Sequence, residues 1–264
     1  MPAMNKMESG YASINGIKMH YEIHGESSLI PIVLIHGGGS TIPSNWGTML
    51  PLLATHYKVI AMELQAHGRT SDRDRDESFK QDAADVISLL QHLNIHKANF
   101  IGFSNGGSTT LEIAVNRADY INKAVVISCG YKRDGMINGL FDGLQQATFK
   151  DMPEPLKKAY LDVNPDEKGL LNMFNKDRAR MLAFTDRTDE EMRSITAPVL
   201  VMIGDQDVVT VEHTVQMHKV IPGSRLAILP GNHGSFIGEV MASDPASNTP
   251  ALTVGIIKEF LDRP

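Results

Sequence analysis

With 264 residues, 42% apolar composition and a net charge of −6, the chain can bury one sizeable globular core. That balance argues against a dedicated nucleic-acid or anionic-membrane surface, both of which reward clustered Lys and Arg, and makes a small molecule the expected partner. The single cysteine, Cys129, excludes an internal disulfide and a multi-cysteine metal site and fits a reducing, cytoplasmic setting.

Met1 to Glu8 is polar and lacks the apolar stretch of a secretory signal, and no segment approaches the ~20 apolar residues of a membrane span. Tyr11 to Ile14, Asn15-Gly16 and Ile17 to Ile23 then read as a hairpin, because Asn-Gly supplies the positive φ angles of a two-residue turn. Apolar runs follow at Pro31 to Ile35, Tyr57 to Met62, Ala98 to Phe103, Ala124 to Ser128, Val199 to Ile203 and Arg225 to Leu229. Their alternation with helical patterns predicts a mostly parallel sheet of an α/β protein, covered on both faces. One helix starts at Ser78, where Gln81 is expected to complete a capping box, and its Phe79, Ala83, Val86, Leu90 and Leu93 form an apolar face. A second, from about Ala251 to Leu261, packs on the sheet and closes the domain. Between them the strand rhythm fails over residues 131–195, which are helical, rich in Met and Phe, and broken by Pro153, Pro155 and Pro165. This stretch reads as a lid inserted into a core made of residues 1–130 and 196–264, with Phe141, Leu144, Phe149, Leu156, Tyr160, Met173, Phe174, Met181 and Phe184 on its inner side.

Chemistry concentrates at strand ends. In Gly102-Phe103-Ser104-Asn105-Gly106 one serine stands between two glycines where an apolar strand stops and a small-residue helix begins, the pattern of a strained nucleophile elbow. Any Cβ at Gly102 or Gly106 would collide with neighbouring backbone in so tight a reversal. A serine hydroxyl needs a base and the base needs an orienting acid. His233 lies in the glycine-rich loop Pro230-Gly231-Asn232-His233-Gly234 after the last strand, and Asp205 and Asp207 follow the strand before it. Spacing alone leaves both aspartates open. Oxyanion donors are expected from the His36-Gly37-Gly38-Gly39 loop, with Gly38 first and Gly39 as the other candidate, and from the residue after the serine, Asn105. Neither Gly-x-x-x-x-Gly-Lys nor Gly-x-Gly-x-x-Gly is present to turn that loop into a phosphate cradle.

These residues resemble the α/β-hydrolase fold superfamily over nearly the whole chain. The carriers are His36 to Gly39, Glu63-Leu64-Gln65-Ala66-His67-Gly68-Arg69-Thr70, Gly102 to Gly107, Gly204 to Asp207 and Pro230 to Gly234. The resemblance implies an eight-stranded sheet with a lid between its sixth and seventh strands. It also implies Ser104 as nucleophile, His233 as base, Asp207 as its orienter, and neither cofactor nor metal. Members that cleave carbon–carbon bonds share the glycine-rich loop, and Ser44-Asn45-Trp46 is similar to theirs. They usually carry asparagine before the nucleophile and tryptophan after the histidine, whereas this chain has Phe103 and Gly234. Members with an aspartate nucleophile, the dehalogenases and epoxide hydrolases, are disfavoured by Ser104.

The expected activity is hydrolysis of a small, partly apolar ester or related acyl compound through an acyl-enzyme. The rivals are carbon–carbon hydrolysis on the same fold and a ligand receptor that retains the pocket without turnover. Two apparent metal motifs fail on inspection. Asp72, Asp74 and Asp76 imitate a calcium loop, but Glu77 and Ala83 occupy its glycine and final glutamate positions, and His92 and His96 lack the Glu of a His-Glu-x-x-His zinc helix. Composition and motifs leave the oligomeric state undetermined.

Overall fold

The computed structural model describes residues 7–263, so most of the polar Met1 to Glu8 stretch lies outside the described residues. The hairpin forms as β1 (Met7–Ile14) and β2 (Ile17–His24), joined by Asn15 and Gly16 at φ +44° and +88°. Then come β3 (Ile32–Ile35), α1 (Ile42–Trp46), α2 (Met49–Ala54), β4 (Val59–Met62), α3 (Phe79–His92), β5 (Ala98–Phe103), α4 (Asn105–Asn116) and β6 (Ile121–Ile127). Four helices follow before the sheet resumes: α5 (Leu140–Gln146), α6 (Glu154–Val163), α7 (Glu167–Leu182) and α8 (Asp189–Arg193). The chain ends with β7 (Val199–Gln206), α9 (Val211–Val220), β8 (Arg225–Asn232) and α10 (Thr249–Asp262).

The eight strands form one sheet in the order β1-β2-β4-β3-β5-β6-β7-β8. β1 and β2 pair antiparallel, β2 meets β4 antiparallel, and every other pairing is parallel. The central strands are buried along their whole length, as a sheet covered on both faces requires. One face carries α3, α4 and α9 through Val86, Leu90, Leu111, Ile113 and Met217, and the other carries α1, α2 and α10 through Trp46, Leu53, Val254 and Ile257. Burying each Val, Leu or Ile among them stabilises the fold by about 2 kcal/mol.

The capping box expected at Ser78 forms only by half. The Ser78 hydroxyl accepts the Gln81 N–H, but the Gln81 side-chain amide donates to Asp85 one turn further on, drawn by a carboxylate acceptor. No helix among the described residues is long and apolar enough to cross a membrane. Because parallel strands all end on one side, the ends of β3, β5, β6, β7 and β8 bring their loops together under the helices between β6 and β7.

Candidate active site

The turn from β5 into α4 places Ser104 at φ +52°, a left-handed conformation that costs a non-glycine residue about 1–2 kcal/mol. Flanking glycines make the turn possible. A Cβ on Gly102 would lie 2.1 Å from the Gly106 carbonyl oxygen, and one on Gly106 would lie 2.0 Å from that of Ile35. The Ser104 hydroxyl donates to His233 Nε2 at 3.1 Å, and His233 Nδ1 donates to Asp207 Oδ1 at 2.7 Å. These side chains come from the ends of three strands, and His233 stays partly exposed while Asp207 is buried.

Asp207 reaches His233 because the pairing of β7 with β8 shifts register between Gly204 and Gln206, which turns the chain as it leaves the sheet. Asp205 faces the other way and is exposed. Its Oδ1 accepts the Gly231 N–H at 2.8 Å, so it ties down the loop that carries His233. Burial alone would raise the Asp207 carboxyl. Hydrogen bonds from His233, Ser128 and Val209 outweigh it and hold the group below the usual carboxylate range.

The glycine loop after β3, expected to carry an oxyanion donor, is pinned on both sides of Gly38 N–H. Gly37 N–H donates to Asn45 Oδ1 at 2.7 Å, and the Gly37 carbonyl accepts from His36 Nδ1 at 2.7 Å. Among the described residues Gly38 N–H has no acceptor. Asn105 N–H, at the first turn of α4, is one of the donors that a helix start leaves unpaired. Gly39, the alternative to Gly38, does not join them: its N–H donates to Asp177 Oδ2 on α7. Gly38 has no room for a side chain, since a Cβ would lie 2.6 Å from Asn105 Nδ2 and 3.1 Å from Asp177 Oδ2.

Two cavities meet at Ser104. One, about 390 Å³, is lined by Phe103, Gln206, Asn232, Glu239, Met241 and Ala242. The other, about 380 Å³, runs under the helical insertion between Leu144, Met152, Leu156, Phe174 and Met181. Both touch Gly38, Ser104, Leu156, Val208 and His233. Of the apolar residues expected on the inner side of residues 131–195, Leu144, Leu156, Phe174 and Met181 face this space, while Tyr160 and Met173 are buried in a cluster that also takes in Ala66 from the loop after β4. In the first cavity Glu239 is a buried carboxyl raised to about 7 by desolvation, although its Oε2 accepts the Met241 N–H at 2.8 Å.

Sequence reasoning missed several groups. Ser128 sits at φ +53° after β6 and donates to Asp207 Oδ2 at 2.6 Å. His67 is fully buried, with Nδ1 donating to the Gln65 carbonyl at 2.7 Å and Nε2 donating to Asp177 Oδ2 at 2.9 Å. Burial would lower its pKa, but the Asp177 carboxylate outweighs burial and raises it to about 9. Arg180 adds a second cation on Asp177 and also pairs with Asp82 at 2.6 Å. A signal for this cluster exists: Asp177 interrupts the apolar stripe Leu170, Met173, Phe174, Met181 at helical spacing. Nothing in the sequence marks Ser128 or Glu239. Asp72, part of the discarded calcium motif, accepts from Gln65, Asn172 and Lys176, and the described residues contain no cluster fit to hold a metal.

Comparison with known proteins agrees with this architecture. A model of the alpha/beta hydrolase family matches residues 32–246. The chain is 27% identical over 252 residues to the 2-hydroxy-6-oxo-6-(2'-aminophenyl)hexa-2,4-dienoic acid hydrolase of Metapseudomonas resinovorans, covering 85% of each chain. It is 26% identical over 240 residues to the serine hydrolase BPHL of Homo sapiens, covering 85% of this chain and 80% of that one. Among solved structures, the enol-lactonase from Burkholderia xenovorans LB400 superposes with a TM-score of 0.73 at 24% identity, over 96% of this chain and 100% of the other. The meta-cleavage product hydrolase from Pseudomonas fluorescens IP01 gives 0.78 at 19% identity, over 96% and 97%. The structural likenesses speak for the fold. The chain belongs to the alpha/beta hydrolase family.

Proposed function

We propose that this member of the alpha/beta hydrolase family is a serine hydrolase that cleaves a small, partly apolar ester or related acyl compound through an acyl-enzyme. The observation that carries the reading is the continuous line from Ser104 Oγ to His233 Nε2 at 3.1 Å and from His233 Nδ1 to Asp207 Oδ1 at 2.7 Å. Ser104 attacks the carbonyl carbon while its proton passes to His233, and Asp207 stabilises the resulting imidazolium. Gly38 and Asn105 N–H groups receive the developing oxyanion, each contributing about 3 kcal/mol where charge builds up. His233 then protonates the leaving group, and a water molecule repeats the sequence on the acyl-enzyme.

The two cavities meeting at Ser104 suit a substrate in two parts, an apolar acyl group on one side and a leaving group on the other. Residues 131–195 act as the lid that covers the apolar side. The single buried cysteine is compatible with a cytoplasmic setting. A second reading, carbon–carbon bond hydrolysis, is favoured by the names of the dienoic acid hydrolase and the meta-cleavage product hydrolase. Gly234 weighs against it. Its φ is +86°, and a Cβ there would lie 2.8 Å from Glu239 Cβ and 3.1 Å from Phe103 Cζ, so a tryptophan after the histidine has no place.

Purified protein assayed on acyl esters, lactones and vinylogous diketones separates the readings. Highest kcat/KM on an ester, with a pre-steady-state burst of one leaving group per Ser104, supports the proposal. Turnover confined to the diketones would replace it with the second reading, and no turnover of any class in folded protein would point to a receptor.

A further inference from the structure

The oxyanion loop is held from two directions. The core side is self-contained, through His36, Gly37 and Asn45. The other restraint comes from α7, 138 residues away in sequence: the Asp177 carboxylate accepts the Gly39 N–H. The same carboxylate accepts the Asn105 side-chain amide at 3.3 Å through its other oxygen. One side chain of the insertion therefore grips both segments that present oxyanion donors. Fixing the Gly39 N–H fixes the plane of the Gly38–Gly39 peptide. Together with the hold on the neighbouring Gly37 carbonyl, it leaves Gly38 N–H, which has no acceptor among the described residues, free to face Ser104.

A carboxylate so close to a developing oxyanion would repel it unless its charge were balanced. Two buried cations supply that balance at the same two oxygens. His67 donates to Oδ2 at 2.9 Å, and Arg180 donates to Oδ1. The remaining ionisable groups around them are carboxyls, Asp82 at 2.6 Å and Glu77 at 3.5 Å from Arg180, and His36, whose ring centre is 4.8 Å from that of His67. Burial, seconded by the charged His67, lowers His36 to about 3, and burial raises Glu77 to about 7, so His36 adds no positive charge to the cluster at neutral pH. A buried charge cluster linking an insertion to a core needs no acceptor on a loop N–H to be stable. The Gly39 and Asn105 contacts are the part that structural pairing leaves unexplained.

We propose that Asp177 is a positioning residue of the hydrolytic site: reaching from the insertion, it aims the Gly38 and Asn105 donors at Ser104, so that the oxyanion hole is complete only while α7 is docked. The proposal rests on the serine hydrolase reading. It is tested with the full chain as wild type, Asp177→Ala and Asp177→Asn, by steady-state kinetics on an acyl ester. The inhibition constant of butylboronic acid, whose serine adduct places an anionic oxygen in the hole, is measured alongside.

Asp177→Ala should lower kcat by about 10²-fold, the loss typical of a disabled oxyanion donor, and weaken the boronate comparably while KM moves less than about twofold. Asp177→Asn keeps an acceptor for Gly39 and should recover kcat to within about tenfold of wild type. If Asp177→Ala does not fold, Asp177→Leu with Arg180→Leu removes both ends of the pair and should show the same loss of kcat and boronate affinity. Folded variants with wild-type kcat and boronate affinity, or with a rise in KM alone, would overturn the proposal, as would a gain in kcat. Failure of the underlying reading looks different: the wild type itself would neither hydrolyse the ester nor bind the boronate, whatever stands at position 177.

Discussion

The molecule contains the same chemical pair twice, and the two copies behave differently. His233 and Asp207 are 2.7 Å apart, and His67 and Asp177 are 2.9 Å apart. In the first pair Nε2 of the imidazole is left to accept from a serine hydroxyl, and the ring is partly open to a cavity. In the second, both ring nitrogens donate, one to a carbonyl and one to a carboxylate, and the ring has no exposed surface. A histidine that donates from both nitrogens must stay protonated, so His67 has no capacity to accept a proton near neutral pH. The aspartate alone does not make a histidine a base. What does is an unspent nitrogen facing a group with a proton to give.

The largest test removes members of the first pair's line. Ser104→Ala or His233→Ala should each lower kcat on the best acyl substrate by about 10⁴-fold or more, and the double variant should lose little beyond either single one. Additive losses in steady-state assays would mean that the two do not act as a unit. Next comes the acid. Asp207→Asn should lower kcat by about 10³- to 10⁴-fold by presenting the wrong donor to His233, whereas Asp205→Asn should stay within about tenfold. The opposite ranking would move the acid to Asp205 and break the comparison.

The second pair should answer in stability. His67→Gln leaves Asp177 and Arg180 in a damaged buried cluster and should cost about 3 kcal/mol in urea unfolding. The pH dependence has a definite sign. Because the folded pKa of His67 is raised from 6.5 to about 9, its stabilising contribution is fully present below pH 6.5 and is lost as pH rises through about 9. Wild-type Tm should therefore fall over that window more steeply than the Tm of His67→Gln. Equal slopes would show that the pair carries no such linkage. The smallest effect is expected at Ser128→Ala, where losing one hydrogen bond to the Asp207 carboxylate should reduce kcat about tenfold at nearly constant KM.

Much of this is legible in the sequence, for reasons the structure makes plain. Parallel strands buried on both faces read as unbroken apolar runs such as Ile32–Ile35 and Val59–Met62, and the loops at the strand ends carry the residues that converge. Ser104 and His233 each stand among glycines, which tight turns demand. Asp207 and Asp205 look alike in sequence because their difference is one of direction, set by the register shift in β7 that no local pattern announces. The Asp177 cluster is harder to read for another reason. Asp177 and Arg180 share α7, but His67, Glu77 and Asp82 come from distant parts of the chain, so the break that Asp177 makes in an apolar stripe does not name its partners. The choice between Gly38 and Gly39 stays open in the sequence because the acceptor that takes the Gly39 N–H arrives from α7.

The most direct test of the central claim is peptide mapping by mass spectrometry after reaction with a fluorophosphonate probe. A single adduct on the Ser104 peptide is expected, absent from Ser104→Ala and strongly slowed in Asp207→Asn but not in Asp205→Asn. Folded wild-type protein that remains unlabelled, or that carries the adduct on another residue, would contradict the account.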